Sequence, residues 1–191
     1  MDNKKDLLTL PNLLSGYRLL SFPFLFYLIV AGNKNLFIPL YGFNLFTDIL
    51  DGWIARKFHL QTVIGARLDS LADTGSIILA IVAMIVFEKV FIDTHFLQIT
   101  ILIILYILPY ILSILKFKKL PSLHLYSAKV TGYVQAIFFL LLFSGYCPEW
   151  YFYFMLLISC ISYLEEICSL LLMNQLQTNA KSIYHIYNEK I

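Results

Sequence analysis

The chain has 191 residues, of which 60% are hydrophobic and 14% are charged, and its formal net charge is only +2. This apolar composition excludes an ordinary soluble globular domain and is typical of an integral membrane protein. The small net charge gives no support for a nucleic-acid partner, so none is predicted.

Six apolar stretches follow one another along the chain, each close to the roughly 20 residues that a helix needs to cross the hydrocarbon core. The connections between them are too short to hold a soluble domain. The sequence therefore predicts an all-α integral membrane protein, a bundle of six transmembrane helices with short loops and a single domain over residues 1–191. The predicted spans are 9–32, 36–57, 64–87, 94–115, 125–146 and 149–173.

Basic residues are concentrated in alternate connections between these spans. The positive-inside rule then places both termini, and the junction of spans two and three, on the cytoplasmic side. The connections on the opposite side carry only Lys34 and Lys89. The cytoplasmic set consists of Lys4, Lys5, Arg56, Lys57, Arg67, Lys116, Lys118, Lys119, Lys181 and Lys190.

Four aspartates, a third of the twelve acidic residues, lie at the junction of spans two and three. Asp48 and Asp51 are three residues apart and Asp69 and Asp73 are four apart, so each pair lies on one face of its helix. A turn between the spans would bring the two faces together. Carboxylates beside hydrocarbon need a compensating cation or water, and ligands that are all oxygen favour Mg²⁺ or Mn²⁺ over zinc. We therefore predict a divalent metal site on these four side chains.

Small residues and one arginine accompany the aspartates. Gly52 and Ala55 remove side-chain bulk beside Asp51, and Gly65 does the same one turn before Asp69. Small residues at these positions allow either a ligand or a neighbouring helix to approach closely. Arg56 adds a cation whose planar geometry suits phosphate. The acidic cluster favours a ligand, so we predict that these four residues bind substrate.

The spacing of these residues resembles the signature of the CDP-alcohol phosphatidyltransferases at all eight of its fixed positions. A segment near the start, Pro11-Asn12-Leu13-Leu14-Ser15 with Arg18 and Pro23, is also similar to the opening of the first helix in that family. The likeness extends over nearly the whole chain, but specific motifs occur only in spans one to three. The signature reads Asp48-x2-Asp51-Gly52-x2-Ala55-Arg56-x8-Gly65-x3-Asp69-x3-Asp73.

The resemblance implies a magnesium-dependent transfer of a phosphatidyl group from a CDP-linked lipid, usually CDP-diacylglycerol, to a small alcohol, with release of CMP. It implies that Asp48, Asp51 and Asp69 hold metal and that Asp73 deprotonates the acceptor hydroxyl and also contacts metal. It further implies that Asn12 lies in the substrate site and that the protein is a homodimer.

Two basic residues lie deep inside apolar stretches, Arg18 in span one and Lys129 in span five. Each needs an anionic partner or water, supplied by an interhelical ion pair, by a side chain that reaches up to the interface, or by a substrate phosphate. We predict both as substrate-binding residues, with Glu165 and Glu166 of span six as alternative partners. The four histidines have no metal-ligand spacing and are predicted to be solvated surface residues.

The acceptor alcohol is indicated by conflicting residues. Lys129 with Gln135 resembles the branch of the family that forms glycerophosphate lipids and cardiolipin, whereas Ser70 and Thr74 look more like the serine or inositol branches. Because Lys129 and Arg18 suggest an anionic acceptor, we favour glycerol 3-phosphate or another polyol phosphate.

Two other classes of protein also place carboxylates in a membrane. A cation transporter or channel explains the aspartates alone, but its sites usually lie near the bilayer midplane. An intramembrane prenyltransferase also binds a diphosphate through aspartates and Mg²⁺, but with more helices and two well-separated acidic motifs. Neither class explains the positions of Gly52, Ala55, Arg56 and Gly65.

Overall fold

The computed structural model describes residues 9–58, 60, 62–119, 125–173 and 182. Over these residues the chain contains seven α-helices and no strand, which confirms the predicted all-α class. The helices are α1 (Leu10–Val30), α2 (Lys34–Lys57), α3 (Val63–Phe87), α4 (Lys89–Thr94), α5 (Phe96–Phe117), α6 (Tyr126–Ser144) and α7 (Glu149–Leu172).

Five helices within the described residues are long and apolar enough to cross a membrane, namely α1, α3, α5, α6 and α7. A multi-pass membrane protein is therefore confirmed. The helix that matches the predicted second span, α2, has 24 residues and five charged side chains. Its length of about 36 Å is sufficient for a crossing. Because of its charges, however, α2 is not among the five helices that are apolar enough to cross, so a total of six spans stays a prediction. The short helix α4 was not predicted.

Large apolar side chains cover the outside of the helices. Leu20, Leu115 and Trp150 are among many that are well over half exposed. A soluble protein rarely exposes so many together. In lipid the same surface has no cost, because acyl chains are as apolar as these side chains.

The helix ends around the first turns are fixed by short polar side chains. Asn33 begins α2 by accepting a hydrogen bond from the backbone N–H of Leu36, and Thr62 begins α3 by accepting one from Gly65 at 2.9 Å. Such caps satisfy backbone donors that the helix itself leaves open. The Thr62 cap fixes where α3 starts, and hence where Asp69 and Asp73 lie on it.

The described residues belong to two compact units, residues 1–90 and 91–191, and the single-domain prediction stays a prediction. In the first unit, α1 packs against both α2 and α3. The contact between α1 and α3 is close at Gly75, where an added Cβ would collide with the ring of Phe22. Hydrogen bonds also join its helices, with Ser21 donating to the Asn44 side chain at 2.8 Å and Tyr41 donating to the Ser76 carbonyl at 3.3 Å.

In the second unit, α7 packs against α5 and α6. Gln135 donates hydrogen bonds from α6 to the hydroxyls of Ser159 and Tyr163 on α7. His95 is buried, with its ring 4.6 Å from that of Phe152. The prediction of a solvated surface residue was therefore wrong for His95, because the aromatic side chains of α4 and α7 enclose it. The other three histidines, His59, His124 and His185, lie outside the described residues.

Candidate active site

Three polar residues of α1 face the interior of the first unit. Asn12, Ser15 and Arg18 recur at intervals of three residues, and each is buried. This spacing keeps them along one side of the helix. Because α1 packs on both α2 and α3, this side of α1 meets the two aspartate-bearing helices.

The four aspartates converge, as their spacing predicted. One carboxylate oxygen from each of Asp48, Asp51 and Asp69 lies within 4.8 Å of the other two. Asp73 joins the group through Arg18, whose Nη2 donates to an Asp73 oxygen at 2.9 Å. The convergence follows from the two helical spacings together with the close packing of α1 between α2 and α3.

Arg18 lies at the centre of this acidic group and is only 1% exposed. Its Nη1 forms an ion pair with Asp48, lies 3.4 Å from Asp69 Oδ1, and lies 3.7 Å from Asp51 Oδ2. One guanidinium therefore contacts all four carboxylates. Of the alternatives open from the sequence, the ion pair is the one observed, and its partners are the aspartates.

The four carboxylates differ in their access to solvent. The Asp51 side chain is 3% exposed, that of Asp48 33%, that of Asp69 45% and that of Asp73 50%. Asp51 also accepts a hydrogen bond from Ser15 at 3.1 Å, which fixes its orientation. Asp51 is thus the anchored member of the set, and Asp73 is the one most open to an incoming molecule.

A cavity of about 250 Å³ opens beside the carboxylates. Its walls come from all three helices of the first unit and from the turn that precedes α3, and they include both carboxylates and small residues. The lining includes Asn12, Ser15, Asp51, Gly52, Ala55, Thr62, Gly65 and Asp69. Gly52, Ala55 and Gly65, which the sequence predicted as a site of close approach, therefore all line open space.

Gly65 also allows α1 to approach α3. A Cβ added at this position would collide with Oδ1 of Asn12 and would lie 2.8 Å from Oγ1 of Thr62. Asn12 in turn donates a hydrogen bond to the Thr62 hydroxyl at 3.3 Å. The two explanations that the sequence offered for a small residue here, ligand access and helix packing, therefore both apply to Gly65. It lines the cavity, and it leaves room for the side chain of Asn12.

Two predicted substrate residues are not brought to the acidic group by any described contact. The side chain of Arg56 lies outside the described part of the structure. Lys129 is exposed on α6 in the second unit, with its Nζ 5.8 Å from the centroid of the Tyr126 ring. Their roles stay predictions.

Sequence reasoning missed the parts played by Ser15 and Thr62. Ser15 orients Asp51, and Thr62 both caps α3 and accepts from Asn12. A threonine directly before the apolar run of a predicted helix is a recognisable N-cap signal. No local pattern, in contrast, identifies the aspartate that a serine of another helix will contact.

The family of the chain is decided by comparison with known proteins. The model of the CDP-alcohol phosphatidyltransferase family matches residues 8–164, well over half of the chain. The chain belongs to this family. The match includes every residue of the acidic group and of the cavity, so the geometry described above is the part of this CDP-alcohol phosphatidyltransferase family member that carries its signature.

Individual relatives carry different names. The chain is 41% identical over 66 residues to a human cardiolipin synthase (CMP-forming), covering 34% of this chain and 22% of the relative. It is 36% identical over 69 residues to the Arabidopsis thaliana CDP-diacylglycerol–inositol 3-phosphatidyltransferase 1, covering 36% and 30%. It is 34% identical over 82 residues to the Aquifex aeolicus CDP-diacylglycerol–glycerol-3-phosphate 3-phosphatidyltransferase, covering 43% and 46%.

These matches span less than half the length of each of those relatives. They therefore support the family and leave the acceptor alcohol open between its branches. No solved structure matches the chain.

Proposed function

We propose that the protein transfers a phosphatidyl group from CDP-diacylglycerol, or a closely related CDP-linked lipid, to an alcohol and releases CMP in phospholipid biosynthesis. The observation that carries this proposal is the convergence of Asp48, Asp51 and Asp69 beside a cavity lined by Gly52 and Gly65. The family and the names of its relatives support the same chemistry.

The acidic group fits a divalent cation such as Mg²⁺ or Mn²⁺. Its donors are all carboxylate oxygens, which hard cations prefer. The three oxygens lie within 4.8 Å of one another, so side-chain movements of less than about 1 Å bring them within the roughly 4.2 Å that is the largest separation of two ligands on one octahedral Mg²⁺. In the proposal Asp48, Asp51 and Asp69 hold the ion and Asp73 also contacts it. When bound, the ion neutralises the diphosphate and stabilises the charge that develops on departing CMP.

In the proposal, proton transfer in the reaction is carried out by a residue of the protein itself. Asp73 is half exposed and takes the proton of the acceptor hydroxyl. The hydroxyl oxygen forms a bond to the phosphorus that carries diacylglycerol, and the bond from that phosphorus to the oxygen of CMP breaks. CMP leaves with its negative charge, so charge and atoms balance.

The cavity supplies the binding half of the proposal. Asn12, Ala55 and Gly65 line it, and Gly52 lies directly beside the anchored Asp51. A surface without bulky side chains lets a nucleotide diphosphate come within reach of the carboxylates. Arg56, Lys129 and, when its guanidinium is not held by the aspartates, Arg18 complete the substrate-binding residues of the proposal.

We infer that the acceptor is glycerol 3-phosphate or another polyol phosphate. Lys129 supports an anionic acceptor, and one relative is named for glycerol 3-phosphate. A relative named for inositol makes a neutral polyol the competing acceptor. The proposal also has both termini and the active site facing the cytoplasm, supported by the distribution of basic residues, and a homodimer, supported by the family resemblance alone.

The experiment combines purified protein in nanodiscs with CDP-diacylglycerol and one acceptor at a time: glycerol 3-phosphate, phosphatidylglycerol, inositol or serine. We expect CMP release with glycerol 3-phosphate, loss of release with EDTA, and recovery with Mg²⁺ or Mn²⁺. Asp51→Asn should abolish release, whereas Asp93→Asn, a matched change at an exposed position on α4, should not.

The outcomes separate the parts of the proposal. Release with inositol or serine alone would make the acceptor wrong and leave phosphatidyl transfer intact. No release with any acceptor, from protein that unfolds cooperatively, would refute the transferase function itself. A cation transporter or channel would give no CMP at all, and Arg18 already supplies a positive charge at the carboxylates that a transported cation would bind.

A further inference from the structure

The guanidinium of Arg18 lies where the acidic group would hold a cation. A single nitrogen, Nη1, contacts one oxygen of each of Asp48, Asp51 and Asp69. The oxygens of these same three side chains lie within 4.8 Å of one another. Two positive groups cannot share so small a space, so a divalent ion bound by the three carboxylates has to displace Nη1.

Charge and hydrogen bonding indicate that this arginine and the acidic group satisfy each other only in part. An arginine stays protonated in proteins, yet its single charge faces four carboxylates. Its Nε is buried and has no hydrogen-bond partner among the described residues. A buried donor without a partner costs about 1–3 kcal/mol. The arrangement therefore compensates the carboxylates only in part.

We propose that Arg18 is an internal competitor for the divalent cation, which holds the four carboxylates together before the ion binds and withdraws Nη1 from Asp48, Asp51 and Asp69 when it does. This inference rests on the proposed function, because it needs a divalent ion as the resident cation. Arg18 is here a positioning residue, since it acts through the carboxylates.

Competition has a measurable consequence for affinity. When only a fraction of the molecules has its binding site free, the apparent dissociation constant of the ion rises by the inverse of that fraction. Removing the competitor should therefore tighten cation binding. It should also destabilise the metal-free protein, because four carboxylates then repel one another without a counterion.

The first measurement is Mn²⁺ binding to the full chain in nanodiscs, followed by electron paramagnetic resonance. We expect Arg18→Gln to lower the dissociation constant for Mn²⁺ at least about tenfold relative to wild type. Arg67→Gln is the matched control, because it removes the same charge from an exposed arginine two residues before Asp69. We expect it to leave the dissociation constant nearly unchanged, which separates displacement from a general effect of charge.

The second measurement uses the wild-type protein and remains valid if Arg18→Gln does not fold. The chain has three arginines, Arg18, Arg56 and Arg67. With ¹⁵N-labelled arginine, the side-chain signals of Arg18 are assigned by elimination from the spectra of Arg56→Gln and Arg67→Gln. We expect Mg²⁺ to shift the Arg18 Nη signals and to speed their exchange with water.

Each outcome decides the matter. Tighter Mn²⁺ binding in Arg18→Gln together with Mg²⁺-dependent Arg18 signals supports the inference. Unchanged or weaker Mn²⁺ binding in a folded Arg18→Gln overturns it, as do Arg18 signals that stay constant while Mg²⁺ binds, and in both cases the proposed transferase stands. Absence of Mn²⁺ binding to wild type and variants alike would instead refute the metal site on which both depend.

Discussion

Replacing Gly65 with alanine tests whether close packing between α1 and α3 builds the cavity. The new Cβ would collide with Oδ1 of Asn12 and lie 2.8 Å from Oγ1 of Thr62, below the 3.0 Å that real Cβ atoms keep. Asn12 is buried and cannot simply turn into solvent. Its side chain has to move, and its hydrogen bond to Thr62 has to break.

The magnitude follows from three contributions. Overpacking a filled site costs about 1–3 kcal/mol, and loss of the Asn12–Thr62 hydrogen bond costs about 1 kcal/mol. Alanine gains about 1 kcal/mol over glycine in a helix. The expected net loss in the free energy of unfolding is therefore about 1–3 kcal/mol.

The assay measures two quantities on purified Gly65→Ala: the free energy of unfolding in mixed micelles and the rate of CMP release from CDP-diacylglycerol. We expect both to fall, since displaced Asn12 lines the cavity. Gly16→Ala is the matched control, because it lies in α1 and its added Cβ would meet nothing within 4 Å. It should be neutral or slightly stabilising.

Equal stability and equal CMP release for Gly65→Ala and wild type would refute this reasoning. Such a result would mean that α1 and α3 can separate at this point without loss. A loss of stability in Gly16→Ala as large as that in Gly65→Ala would also refute it, because the effect would then be general to glycine in these helices.

Three further variants test other parts of the molecule. Asp73→Asn keeps the size of the side chain but removes the proton acceptor, so CMP release should fall by about 10²–10⁴-fold while binding of CDP-diacylglycerol, measured by calorimetry, is retained. Gln135→Leu removes the donor to two α7 hydroxyls and should lower the free energy of unfolding by about 1–3 kcal/mol. Lys34→Met leaves Glu88 without its ion-pair partner and should cost about 1 kcal/mol in thermal unfolding, because both side chains keep some access to solvent.

Each of these expectations has a contrary result. Full turnover in Asp73→Asn would exclude the role of Asp73 as the base. Unchanged unfolding of Gln135→Leu would mean that the contact between α6 and α7 depends on apolar packing alone. For Lys34→Met, the difference from wild type should shrink at high salt, and a difference that persists unchanged would point to a cause other than charge.

Much of the fold could be predicted because it depends on local periodicity. The predicted spans end within a few residues of the observed helices, as with 64–87 against Val63–Phe87. The convergence of the aspartates could also be predicted, since intervals of three and four residues place side chains on one helical face. The short helix α4 and the burial of His95 could not, because both depend on packing within the chain.

The partners of Arg18, at the centre of the acidic group, could not be predicted from local sequence patterns. From the sequence, Arg18 had three alternatives: a substrate phosphate, contact with water at the interface, or an interhelical ion pair, for which Glu165 and Glu166 were the named candidates. The structure pairs it with the four aspartates instead. The partners of Arg18 depend on which helices lie beside α1. These ion pairs join residues that are 30 to 55 positions apart in the chain.

The sequence by itself determined that this is a helical membrane protein with a signature of four aspartates and small residues on two adjacent helices, because composition and helical spacing act over a few residues. Only the tertiary structure decided that Arg18 contacts all four carboxylates, that Ser15 anchors Asp51, and that Asn12 fills the space left by Gly65. These contacts come from α1 packing against its neighbours, and the depth of that packing is set by side chains far apart in the chain.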